Sequence, residues 1–125
     1  MTTVTLTSQN FEEIVSGDGI VFVDFWAAWC GPCQAFAPVF EEAARRSPDI
    51  VFGKVDTEAE RELAAAFRIS SIPTLMAFRD GILVFSQPGA LRGPQLEQLV
   101  EGARALDMDS VRRQITEHEA SQATA

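Results

Sequence analysis

No basic residue precedes Arg45 in this chain of 125 residues, and over its whole length ten Lys and Arg stand against eighteen Asp and Glu, a formal charge of −8. Nucleic acid is a poor partner on that balance and none is expected, because neutralising phosphates takes a basic face. The same gap removes the positive n-region of a secretory leader and the Arg-rich face of a transit peptide. The expected location is therefore the cytoplasm. Long apolar runs are also missing: a membrane helix needs ~18 residues, and the longest stretch here, Ile20 to Trp29, is cut by Asp24. No membrane partner is expected, and the chain reads as soluble. Cysteine is scarce, with two in the chain, too few to staple a domain of this size. What is present is apolar mass: 46% hydrophobic residues, with nine Phe and two Trp. A chain of this length buries roughly two-thirds of its unfolded surface, so that mass fills one core and excludes a disordered or fibrous state.

Thr3 to Leu6 suits a short edge strand, and Thr7 or Ser8 is placed to cap a helix carrying Phe11, Ile14 and Val15. Ile20 to Ala27 is almost wholly apolar and rich in Val, Phe and Trp, the pattern of a central strand covered on both faces. Cys33 to Ser47 repeats Phe36, Phe40, Ala43 and Ala44 at helical spacing, with Pro38 predicting a kink. A strand at Ile50 to Asp56 precedes a helix with Leu63 and Phe67 on one face, for which Thr57 and Glu60 spell a capping box. Thr74 to Phe78 and Ile82 to Phe85 then flank Asp80-Gly81, a tight hairpin signal, followed by a loop at Gln87-Pro88-Gly89. Leu96, Leu99, Val100, Ala103 and Leu106 make a last amphipathic stripe behind Pro94. Alternating strands and helices with a late hairpin give an α/β class: a mixed sheet with helices on both faces. Beyond it, Asp109 or Ser110 is placed to cap a short helix bearing Val111 and Ile115, and the polar residues from Thr116 onward predict a frayed tail.

Chemistry concentrates in Trp29-Cys30-Gly31-Pro32-Cys33, where the central strand ends and a helix begins. The first amides of a helix are unpaired and their dipoles favour an anion, so Cys30 should ionise below the ~8.5 of a free thiol. Cys30 is the candidate nucleophile. One turn on, Cys33 comes within disulfide reach and is expected to be the more buried, a candidate resolving thiol. Three other uses of the pair remain open. A structural disulfide closing so short a loop stabilises by only about 2 kcal/mol in the chain-entropy model. Zinc needs four ligands, and the only other soft candidate is His118; no metal is expected. Inert core cysteines would make Gly31-Pro32 a poor choice inside a helix, though a good one at its exposed start.

Asp24 interrupts the apolar run Ile20 to Trp26, so its carboxyl should be desolvated and its pKa raised. Such a group can take the Cys33 proton directly or through water, which makes Asp24 the candidate general base. The alternative is an Asp that faces solvent or pairs with Lys54, the only lysine, on the neighbouring strand; a half-buried Lys54 would also tune Asp24. Trp29, beside the nucleophile, is expected to be exposed. For Pro73, the general frequency of cis X-Pro bonds, about 5–6%, favours trans.

These residues together, Asp24-Phe25-Trp26-Ala27 before the cysteine motif, then Pro38, Lys54-Val55-Asp56, Ile72-Pro73-Thr74, Gly81 and Gly89-Ala90-Leu91, resemble the thioredoxin family over about residues 4 to 106. The resemblance implies a thioredoxin domain over residues 1–108, with a sheet of four to five strands, and a C-terminal extension over 109–125. It reverses the prior at Pro73 and implies a cis bond facing the cysteines. It also implies reduction of protein disulfides: Cys30 attacks, Cys33 resolves with help from Asp24, and Trp29, Gly31, Pro32, Ile72, Pro73, Gly89 and Ala90 line the surface that grips the client. The chain itself would bind no cofactor; electrons would come from NADPH through a flavin-dependent thioredoxin reductase, and the protein would act as a monomer. Oxidising and isomerising relatives usually carry His between the cysteines, so Gly31-Pro32 points to a reductant. A redox-independent binding module or chaperone using the extension is the alternative of another class. Gln34 departs from the Lys or Arg usual in the family and removes a local positive charge, and Pro88 replaces a residue often β-branched.

Overall fold

The computed structural model describes residues 2–124. The elements run β1 (Val4–Thr5), α1 (Phe11–Val15), β2 (Ile20–Trp26), α2 (Gly31–Arg46), β3 (Val51–Asp56), α3 (Arg61–Ala66), β4 (Thr74–Arg79), β5 (Ile82–Pro88), α4 (Gly93–Ala105) and α5 (Met108–Thr124). Five strands form one mixed sheet among the described residues, in the order β1-β3-β2-β4-β5. β1, β3 and β2 are parallel, while β4 lies antiparallel to both β2 and β5.

Alternation along β2 divides its side chains between two cores. Phe22 joins Phe36 and Phe40 of α2, Phe52, Leu75, and Leu96 and Val100 of α4 on one face. Val21, Val23 and Phe25 join Phe11, Val15, Val55, Met76 and Phe78 on the other, under Leu63 and Phe67. Ring pairing knits each side: Phe22 stacks on Phe52 with centroids 5.5 Å apart, and Phe11 meets Phe67 at 5.2 Å. β1 approaches so closely that a Cβ on Gly53 would run into the Leu6 side chain. The β4–β5 turn is the hairpin that Asp-Gly predicts: Asp80 and Gly81 both have positive φ, 52° and 82°, the type I′ requirement.

Four local expectations are not met. α1 is capped not by Thr7 or Ser8 but starts after Asn10, whose Oδ1 accepts from Thr7 N at 2.7 Å; the Thr7 hydroxyl takes Gln9 N instead. No Thr57–Glu60 capping box forms. Thr57 directs its N–H and hydroxyl to Trp26 O, and the Glu60 carboxylate accepts from Ser8 N at 2.9 Å. β5 does not stop at Phe85 for a loop but continues to Pro88, an edge position where a missing N–H costs no ladder bond. Finally, the extension is not a short helix with a frayed tail. α5 runs 17 residues from Met108, with Asp107 Oδ1 accepting from Ser110 N in place of an Asp109 or Ser110 cap. No Gly or Pro follows Asp107 to break it.

Candidate active site

β2 delivers the chain to the motif. Cys30 is the N-cap of α2, with Gly31 and Pro32 opening the helix, so the helix begins two residues before the Cys33 start that periodicity predicts. Pro32 supplies a fixed φ where no N–H is needed. The N–H of Cys33 donates to Cys30 Sγ at 3.2 Å, and that of Gln34 to the Cys30 carbonyl at 3.1 Å. The helix start therefore aims one free amide donor, that of Cys33, at the Cys30 sulfur. Cys30 and Cys33 form a disulfide with Cα atoms 5.2 Å apart. In this oxidised state the expected difference in burial is absent, at 4% and 3% exposed.

The bond between Ile72 and Pro73 is cis, as the resemblance implies. This turn faces the motif, with the Ile72 carbonyl 3.7 Å from Cys30 Sγ. Pro73 O in turn accepts from Gly89 N at 2.7 Å, joining the end of β5 to the same rim. Trp29 is 70% exposed. Gly31, Pro32, Gly89 and Ala90 are exposed and Ile72 half-buried, whereas Pro73 is buried, so it supports this surface from beneath.

Asp24 is completely buried, and neither carboxylate oxygen has a hydrogen-bond partner. Burial pushes its pKa up to about 7, against the opposing pull of Lys54. It shares the α2-covered face of β2 with Phe22 and Trp26, while Trp26 packs against the Ala27, Cys30 and Cys33 cluster. Lys54 is the register partner of Asp24 on β3. It makes no direct ion pair with it; Nζ stands 4.9 Å from the Trp26 ring centroid, a cation–π distance. The solvent-facing alternative for Asp24 is thereby excluded, and Lys54 acts on it through the field alone. No group of three or more His, Cys, Asp or Glu able to hold a metal occurs among the described residues, nor is any of their helices long and apolar enough to cross a membrane.

Two contributors were not legible as such. Ala27 closes the cysteine cluster as a fully buried residue, and the Gln34 side chain donates Nε2 to Ala28 O at 2.7 Å. The identity of Gln34 signals only the missing charge; its bond depends on the backbone path before the helix.

A buried cysteine pair at a helix start, opposed by a cis-proline turn, sits within a stretch that the Thioredoxin family model matches over residues 2–102. The chain belongs to the thioredoxin family. It is 56% identical over 118 residues to Putative thioredoxin 2 of Streptomyces coelicolor, covering 94% of this chain and 88% of that protein. Thioredoxin C-3 of Corynebacterium nephridii is 42% identical, with 78% of this chain and 68% of that protein aligned. Human protein disulfide-isomerase A4 is 47% identical over 83 residues, 63% of this chain but 13% of that protein. The crystal structure of Malassezia sympodialis thioredoxin, Mala s 13, superposes with a TM-score of 0.74 at 29% identity, over 82% of this chain and 91% of that one. As a thioredoxin, the chain is a disulfide oxidoreductase that uses Cys30 and Cys33 on disulfide-containing client proteins.

Proposed function

We propose that this thioredoxin is a general reductant of protein disulfides in which Cys30 attacks and Cys33 resolves. In the reduced protein the Cys33 amide donates to a Cys30 thiolate, which attacks one sulfur of a client disulfide. A Cys30–client bond forms, and the other client sulfur leaves as a thiolate and is protonated. Asp24 then accepts the Cys33 proton. Cys33 Sγ attacks Cys30 Sγ, closing the internal disulfide and expelling the second client thiolate. Two electrons have passed from the cysteine pair to the client. With its pKa raised to about 7, Asp24 is ionised in part at neutral pH and able both to take and to return a proton.

Trp29, Gly31, Pro32, Ile72, Gly89 and Ala90 offer the shallow surface on which an extended client lies, with backbone groups near Ile72 pairing to it. NADPH, acting through a flavin-dependent thioredoxin reductase, re-reduces the pair; the protein acts as a monomer in the cytoplasm. The observation that carries this reading is the Cys33 amide on the Cys30 sulfur, because it favours the anion at one cysteine alone. Turnover of insulin with NADPH and a thioredoxin reductase tests it. Cys30→Ser and Cys33→Ser should both abolish turnover, and only Cys33→Ser should accumulate mixed disulfides. Undiminished turnover in either variant refutes the dithiol mechanism.

A further inference from the structure

Gln34 holds both ends of the tripeptide Ala28-Trp29-Cys30. Its backbone N–H donates to Cys30 O at 3.1 Å, and its side-chain Nε2 donates to Ala28 O at 2.7 Å. Between the anchors stands Trp29, at 70% exposure the largest apolar surface beside the reactive sulfur. An exposed loop carrying such a side chain is ordered only by what ties its backbone, since water competes for every bond it makes. The second anchor point is rigid, because Gln34 lies in the first turns of a helix of 16 residues whose Cys33, Phe36 and Phe40 are buried. A neutral amide adds no charge to the sulfur's surroundings, so its effect on the reaction runs through geometry.

We infer that Gln34 is a positioning residue: its side chain pins the Ala28 carbonyl and so presents Trp29 in one pose to macromolecular disulfides. This deepens the proposed reductase reading and rests on it. A large client meets Trp29, whereas a small aromatic disulfide need only reach Cys30. Gln34→Met keeps length and removes the donor; Gln34→Lys keeps length and restores one while adding a charge, whose effect on the sulfur falls on both substrates alike. A net hydrogen bond of this kind corresponds to about two- to tenfold in an equilibrium.

Gln34→Met should therefore raise KM for insulin about two- to tenfold, with a smaller loss on the small aromatic disulfide. The NMR order parameter of the Trp29 amide should fall, and Gln34→Lys should recover both. An unchanged order parameter, or equal losses on the two substrates, overturns the inference, as does failure of Gln34→Lys to restore what Gln34→Met removes. A wild-type protein inert toward insulin refutes the reductase reading instead, and the order parameter then decides the anchoring by itself.

Discussion

Replacing Asp24 by Asn should change how the stability of the oxidised protein depends on pH, and the size of the effect follows from burial. The Asp24 carboxyl has an ordinary pKa of 3.8 when unfolded and about 7 when folded. A raised folded pKa means that the native state holds the extra proton between those values. The associated stability is fully present below pH 3.8 and is lost as pH rises through about 7. At ~1.4 kcal/mol per unit, the loss amounts to about 4 kcal/mol once the carboxylate is fully ionised, with the opposing pull of Lys54 already included. Denaturant unfolding of the oxidised wild type and Asp24→Asn from pH 4 to 9 measures it. The variant should gain on the wild type by about 1.4 kcal/mol per unit through the acid range and level off above pH 8. Parallel stability curves would refute the desolvated carboxyl. The same substitution should slow Cys33 attack more than Cys30 attack near neutrality, as resolved by single-turnover kinetics; equal slowing removes Asp24 as the base.

Arg79→Met should cost about 1–3 kcal/mol in thermal or denaturant unfolding, since Arg79 Nη1 donates to the carbonyls of Ala103, Arg104 and Leu106 at the end of α4; reductase activity per folded molecule should persist. Deleting residues 109–125 removes most of α5 and the Arg112 contact with Asp80, yet should leave insulin reduction within about twofold of the full chain, a change worth under 1 kcal/mol. A large loss would bring α5 into the mechanism.

Much of this site was legible because its signals are local. The apolar run around Asp24 predicts a strand covered on both sides, and the polar intruder in it predicts a strained titration. The cysteine spacing likewise needs only a helix start. Two of the misses depend on distant chain. Thr57 and Glu60 form no box because Trp26 O and Ser8 N claim them first. The edge role of Pro88 emerges only once β4 lies beside it, and its register partner Thr74 is fourteen residues earlier. α5 outruns its local signal: a polar sequence without a clear apolar stripe predicts fraying, whereas the helix runs 17 residues from the buried Met108. At Pro73, local frequency favours trans, and the cis geometry came from resemblance alone.

The opposed ends of β4 separate two kinds of hardware. Its beginning, at Thr74, follows the turn beside the reactive sulfur, while its end, at Arg79, anchors the junction from which α5 departs. A linker to an electrode or a resin joined at that junction would thus hang from the pole remote from the electron-exchanging rim. The rim stays open to visiting proteins, so immobilisation at the α4–α5 junction suits this molecule better than attachment at its Trp29 end.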